Sequence, residues 1–407
     1  MNKNKVSYEN GIVVLFSLLA GTFVMNRLAI VYLFPDIISE FNMSYAQAGA
    51  LASVASMTVS FACWFFGGLS DRFGRKIIII SLAILFPIMS WVSGITQSYL
   101  QLFLARGLFG FGGGILPPSI ATISAESSPT RRGFNLGLMM ALCPLIGFGI
   151  GPLLITQLVK TISWRMTFFV TGIPGLIICI IIYFYMKEPK STQLRDNIEG
   201  SEVAVGKPGF FAPLRYRNVI VSSIVNFLVI GSFAVFITFS LIYMTKDLRL
   251  SISEAGIILS LLGFTGFLGC ILLPLLSDHV GRKAVAIPSL FTMGLCFGCF
   301  MLSGSNFYFL AIFISIGGFL LGGISPITVS ALTTENVPPH LAATASGIPL
   351  SIGEVFGASL MPLLLGYLCD LYGLKVIFLF AAVTPLIAGF VAFFYKETAP
   401  IKLVGKQ

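Results

Sequence analysis

A chain of 407 residues that is 56% hydrophobic and only 10% charged is too apolar for a water-soluble globule, in which about a quarter of the residues carry charge. Its net charge of +9 would suggest a nucleic-acid partner if the basic residues clustered on one solvated face, but they fall in short breaks between long apolar runs. Composition therefore places the chain in a lipid bilayer and excludes nucleic acid.

Apolar runs of about 20 residues, enough to cross ~30 Å of hydrocarbon at 1.5 Å per residue, occur twelve times. The first, Ile12–Phe34, carries Asn26, Arg27 and Tyr32. It is as long as a membrane span and lacks a small-x-small cleavage site, so it reads as a transmembrane helix and not as a cleaved signal. Spans at Ala46–Gly68, Ile77–Thr96, Tyr99–Ile123, Phe134–Val159 and Trp164–Met186 complete a first set of six. Lys187–Arg217 holds most of the polar density and reads as a linker. Six more follow at Val219–Met244, Ser253–Leu276, Ala284–Ser303, Phe307–Leu332, Ala342–Leu368 and Val376–Tyr395. The expected organisation is a six-helix bundle over 1–186, a cytoplasmic linker over 187–217 and a second six-helix bundle over 218–407.

The two sets repeat one another. GGLSDRFGRK after the second span returns as PLLSDHVGRK after the eighth, matching Asp71 to Asp278 and Arg75 to Arg282. GGILPPSIATISAESSPTRRG at the end of the fourth span returns as GGISPITVSALTTENVPPHLA at the end of the tenth, matching Glu126 to Glu335. Eighteen of the 25 Lys and Arg residues fall on the side of the termini and the linker. Lys160, Arg165, Lys246, Arg249 and Lys375 fall on the other side, and Arg27 and Arg106 lie within spans. The positive-inside rule then makes both termini cytoplasmic.

Duplication of six spans about a cytoplasmic linker, with D-R-x-G-R-K after the second, resembles the major facilitator superfamily over the whole chain. The resemblance implies an all-α membrane fold of twelve helices in two pseudo-symmetric six-helix bundles, secondary transport by alternating access, and no enzyme activity. His279 departs from the basic residue usual in the second copy. A carboxylate at a helix end can cap a neighbouring helix, and adjacent arginines can hold an acidic loop residue across a gate. In the superfamily such contacts stabilise the cytoplasm-closed state, so Asp71, Arg75 and Glu126, with Asp278, Arg282 and Glu335, are the expected cytoplasmic gate. The plainer alternative is a charge cluster that only sets topology.

Ionisable groups inside spans are expensive and mark function. Arg27 lies about nine residues from the outer end near Asp36 and Arg106 about seven from Tyr99, which places both roughly 10–14 Å deep, in one layer. Two planar guanidinium forks there suit a carboxylate or phosphate, although an arginine can instead bind backbone carbonyls or snorkel outward. Asn26, Tyr32 and Asn226 are further substrate-binding candidates, and Thr238 and Tyr243 weaker ones, since such groups often bond to helix carbonyls. Glu354, about twelve residues into the eleventh span, is the one mid-span carboxylate and the candidate proton-coupling site.

NRLAIVYLFPDI, ARGLFGFGGGILPPS and WRMTFFVTGIPG together resemble the organic-anion transporters grouped as anion:cation symporters, whose first- and fourth-helix arginines line the substrate site. Sugar-acid members carry a proton-binding acid further along the fourth helix, where this chain has Gly110, Gly112, Gly113 and Gly114. The expected function is proton-coupled transport of a small organic anion, a carboxylate or sugar acid, by a functional monomer in a bacterial cell membrane. Gly147-x-x-x-Gly151–Pro152 supports a rival, a drug or metabolite:proton antiporter, although Leu153–Leu154 replaces the glycine pair that should follow. A transporter-like sensor is the remote alternative. The seven cysteines lie in apolar runs; Cys296-x-x-Cys299 has no second pair or nearby histidine, and His279 and His340 lie in loops, so neither metal nor cofactor is expected.

Overall fold

A computed structural model describes residues 3–128, 131–187, 212–338 and 341–399, and every regular element among them is helical. Most of the expected linker and His340 lie outside the described residues. Among the described residues twelve helices are long and apolar enough to cross a membrane: Ser7–Tyr32, Tyr45–Ser70, Arg75–Gly94, Tyr99–Glu126, Arg132–Thr161, Trp164–Tyr185, Arg217–Asp247, Ile252–Val280, Arg282–Leu302, Phe307–Thr334, Thr344–Tyr372 and Lys375–Ala392. They are called the first to twelfth spans below.

The spans begin and end for local reasons. The first stops at Tyr32; a separate helix, Phe34–Phe41, starts with Pro35 in its first turn and ends at Asn42 in the left-handed conformation (φ 49°). Ser98, Ser163, Ser251 and Asn306 cap the fourth, sixth, eighth and tenth spans, each accepting a bond from the first-turn backbone it precedes. At Ser251 the side chain of Glu254 completes a capping box.

Several spans leave ideal helical geometry. Leu145–Ile150, Tyr243–Asp247, Pro326–Ala331 and Gly353–Leu360 are π-helical, and Phe111–Ile115 is a 3₁₀ segment. Such segments insert or remove a fraction of a turn and recur at functional sites.

By compactness the chain divides into Met1–Ile30 with Met57–Lys207, and Val31–Ser56 with Pro208–Gln407. In the first unit a continuous core includes Phe16, Phe23, Ile79, Phe86, Phe109 and Ile182. Phe23 stacks on Phe109 at 5.4 Å and meets Phe86 edge-on at 5.5 Å. The glycines after Arg106 make room for these rings: a Cβ on Gly112 would stand 2.5 Å from the Phe86 Cβ, and one on Gly114 2.7 Å from the Phe66 ring. An acidic side chain at Gly112 or Gly114 would therefore have to displace a phenylalanine. Gly112→Ala should destabilise the protein by about 1–3 kcal/mol through overpacking, read as a lower thermal midpoint in detergent; an unchanged midpoint would mean that Phe86 moves aside freely.

In the second unit the seventh and eleventh spans meet through glycines, with a Cβ on Gly357 standing 2.8 Å from the Gly231 nitrogen. Phe236 joins Phe297, Phe300 and Phe378 in an aromatic cluster between the seventh, ninth and twelfth spans.

Candidate functional site

Arg106 is completely buried in the first unit. Its Nη2 donates to the backbone oxygens of Asn26 at 3.0 Å and Arg27 at 2.8 Å, so the two arginines share a layer, as their distances from the span ends imply. The guanidinium lies over the Phe109 ring at 4.2 Å and nears that of Phe168 at 5.6 Å, and its Nε and Nη1 have no hydrogen-bond partner. Arg27 is only partly buried. The pair is therefore asymmetric: one guanidinium is sealed against helix backbone and aromatic faces, and the other is partly open.

Asn26 fixes the backbone between them. Its Nδ2 donates to the oxygens of Thr22 at 2.9 Å and Thr171 at 2.8 Å, and its Oδ1 accepts from Ser90 Oγ at 3.0 Å. Ser90 Oγ also lies 3.2 Å from the Phe168 oxygen. These bonds tie the first span to the third and sixth at the depth of Arg27. Both amide hydrogens and the amide oxygen are thus engaged within the unit, which makes Asn26 a brace beside the arginine. On the opposite side a Cβ on Gly147, in the fifth span's π-helical segment, would collide with Val24, so the first and fifth spans touch closely.

The remaining candidates belong to the second unit. Tyr32 is fully buried, and its hydroxyl has no hydrogen-bond partner. Asn226 is buried and donates from Nδ2 to the Pro349 oxygen at 2.8 Å; a Cβ on Gly353 would stand on the same nitrogen. Glu354 follows in the first turn of the π-helical segment Gly353–Leu360 and is partly buried; its backbone oxygen accepts from Ser359 Oγ at 3.0 Å. Thr238 Oγ1 bonds back to the Ala234 oxygen at 2.6 Å, and Tyr243 is buried at the start of another π-helical segment. An open cavity of about 570 Å³ in this unit is lined by Pro35, Ile38, Ser39, Asn42, Met43, Thr245 and Lys246.

The structure brings together the second copy of the charged repeat. Arg282 pairs with Asp278 and with Glu335, the latter at 2.8 Å, and its Nη1 reaches Ser277 Oγ at 2.8 Å. Sequence reasoning missed Glu397, which accepts from the Arg282 and Lys283 backbone nitrogens at 2.8 and 3.1 Å, and Thr398, which donates to Glu335 at 2.6 Å. A signal existed: Lys396–Glu397 repeats Lys187–Glu188 at the same spacing as Glu126 and Glu335. In the first copy, Arg75 Nη1 donates to the Ala121 oxygen at 3.2 Å and Glu126 ends its span near Tyr8. The Asp71 side chain lies outside the described residues.

Burial pushes the Glu397 carboxyl upward, but bonds from the backbone nitrogens of Ala399, Arg282, Lys283 and Thr398 outweigh it and hold the group below its ordinary 4.5. A depressed carboxyl contributes stability in full above the unfolded value and loses it as pH falls through the folded one. Glu397→Gln should therefore lower the thermal midpoint near neutrality and flatten its decline below about pH 4.5. Parallel acid limbs for the two proteins would contradict this.

Among the described residues no group of three or more His, Cys, Asp or Glu is placed to hold a metal ion. A family model described as Major Facilitator Superfamily matches residues 15–350 and 222–406. The chain is similar to the cis,cis-muconate transport protein of Acinetobacter baylyi, with 28% identity over 379 residues that cover 90% of this chain and 89% of that protein. It is also similar to the multidrug resistance protein MdtG of Proteus mirabilis, with 27% identity over 347 residues covering 82% of each. The nucleoside transporter NupG shares the fold with a TM-score of 0.76 at 16% identity, over 95% of this chain and 100% of that one.

Proposed function

The chain belongs to the Major Facilitator Superfamily, and on that premise we propose that it carries a small organic anion, a carboxylate or sugar acid, across a cell membrane by proton-coupled alternating access. The observation that carries the reading is Arg106, a fully buried cation with two donor nitrogens unspent, set against the backbone of Arg27. An arginine at mid-span is unfavourable by about 2.5–3.5 kcal/mol on insertion scales, and a helix bundle does not need one to pack. An anion delivered to Arg27 offsets that burden.

The two arginines then divide the work. Arg27, the partly open one, forms the charge-assisted bonds to the substrate. Arg106 adds its field from behind and holds the first-span carbonyls, while Asn26 fixes the angle at which Arg27 is presented. Tyr32 and Asn226 are the further substrate contacts, and Glu354 is the proton carrier. Both termini are cytoplasmic, and the working unit is a monomer. The charged repeat, Asp71, Arg75 and Glu126 with Asp278, Arg282 and Glu335, closes the cytoplasmic side; Arg282 with Glu335 supports that role.

A second reading, drug:proton antiport, is favoured by Gly147-x-x-x-Gly151–Pro152 and by the likeness to MdtG. The buried Arg106 and the partly buried Arg27 in the first unit weigh against it for cationic drugs. Purified protein in liposomes, offered small carboxylates, sugar acids and lipophilic cations with and without a pH gradient, separates the two. Saturable carboxylate uptake stimulated by inward proton flow is expected; gradient-driven cation movement without anion recognition would move the chain to the second reading.

A further inference from the structure

The start of the second span is held twice. Ser44 Oγ accepts from the Gln47 nitrogen at 3.2 Å and Gln47 Oε1 accepts from the Ser44 nitrogen at 3.0 Å, which closes a local capping box. The two intervening amides, Tyr45 and Ala46, donate to the two carboxylate oxygens of Asp370 at 2.8 and 2.9 Å. Asp370 sits in the last turn of the eleventh span, 325 positions away in sequence. Its charge faces the positive end of the helix and satisfies two donors left over there.

Backbone contact surrounds this cap. A Cβ on Gly49 would collide with the Pro362 oxygen, and one on Gly366 would stand 2.5 Å from the Tyr45 oxygen. The Lys246 ammonium lies 5.8 Å from the Tyr45 ring centre. All these residues pack in the second unit, although Tyr45, Ala46 and Gly49 belong to the first six spans.

The other capped spans use the residue just before the helix: Ser98, Ser163, Ser251 and Asn306. The second span already has such a cap in Ser44, and its first amides would be solvated by water at the membrane edge. A carboxylate brought from the other half of the chain therefore adds little to the helix itself. What it does is join the second span to the eleventh, through bonds that water can replace when they part.

We propose that Asp370 is a gating residue, whose carboxylate latches the start of the second span to the end of the eleventh in the outward-closed state and lets go when that side opens. This rests on the reading of the chain as an alternating-access transporter with both termini cytoplasmic. The cytoplasmic gate expected from the charged repeat then has a counterpart at the opposite membrane face, built from an unrelated residue.

Cys369 provides the reporter. It is 2% exposed and lies within electrostatic reach of Tyr45, so parting of the two spans uncovers it. The experiment measures its labelling from outside by a membrane-impermeant maleimide, in full-length protein in right-side-out vesicles, with the modified peptide identified by mass spectrometry. Asp370→Asn keeps the shape but removes the charge, and should raise the Cys369 labelling rate roughly 3- to 30-fold, as loss of a carboxylate's bonds to the facing helix end implies. Removing the neighbouring charge also alters the thiol's own reactivity. Gly49→Val leaves Asp370 in place, forces the spans apart and should raise the rate at least as far.

Unchanged labelling in Gly49→Val and Asp370→Asn proteins that elute as single species overturns the latch. Aggregation of both variants makes the contact structural and overturns it equally. The labelling needs no substrate, so the outcomes separate: a chain that moves no anion yet shows the labelling change loses the transport reading and keeps the latch. Normal anion uptake with unchanged labelling does the reverse.

Discussion

Arg106→Met is expected to abolish the proposed anion uptake without lowering the thermal midpoint, and Arg27→Gln to weaken substrate binding by about ten- to a hundred-fold with the fold intact. Both expectations follow from the asymmetry of the pair. At ~4 Å and an effective dielectric of 20, a guanidinium–carboxylate contact carries about 4 kcal/mol of raw attraction, and a hydrogen bond to a charged group nets about 1.5–3 kcal/mol after desolvation. Losing the contact at Arg27 therefore shifts affinity by one to two orders of magnitude. Glutamine keeps a donor and most of the length, so little else changes.

Arg106 is a different case. Its two bonds to the Asn26 and Arg27 oxygens and its place over Phe109 favour the folded state, while full burial of a cation with Nε and Nη1 unpaired opposes it. Replacing buried charges by apolar side chains of similar volume is often neutral or stabilising by about 1–4 kcal/mol. Methionine fills the space between Phe109 and Phe168 without the charge. A residue kept against stability is one that function requires. Thermal unfolding in detergent and substrate binding on the same samples provide the check. A large loss of stability with binding retained would make Arg106 a structural strut and leave Arg27 alone with the anion.

How far the sequence reaches is clear from particular residues. The twelve spans were legible because length times rise per residue must match the bilayer, and Arg27 and Arg106 share a layer because a helix is a ruler. The pairing of Arg282 with Glu335 could be anticipated from the repeat, since a duplicated charge pattern implies a duplicated contact. The Asn26 network with Ser90, Phe168 and Thr171, and the Asp370 cap on Tyr45 and Ala46, were not legible. Bonds between residues far apart leave no periodic trace, and one buried amide looks like another until its partners are placed. The π-helical segments escaped for a related reason: one extra residue in a turn leaves an apolar run just as apolar.

Glu354→Gln is expected to abolish the stimulation of uptake by a pH gradient while sparing exchange of internal for external substrate. Glu354 stands at the mouth of the π-helical segment Gly353–Leu360, where its backbone oxygen accepts from Ser359 Oγ and the preceding glycine is pressed against the Asn226 amide. Glutamine preserves that geometry, since these contacts involve backbone and neighbours and not the carboxyl. What it removes is the carboxyl proposed to carry the proton. For one proton per anion, a gradient of one pH unit is worth about 1.4 kcal/mol, or a tenfold accumulation at zero membrane potential. The variant forfeits that factor and equilibrates its substrate. Exchange survives because a substrate can return without the proton leaving, so a loaded site suffices for both crossings. Uptake into liposomes with the membrane potential clamped, with and without the gradient, measures the first quantity, and counterflow measures the second. If the variant still accumulates substrate tenfold, the coupling proton is carried elsewhere; if it loses counterflow as well, the Glu354 carboxylate binds the substrate or shapes its site, and the division of labour between Arg27 and Glu354 fails.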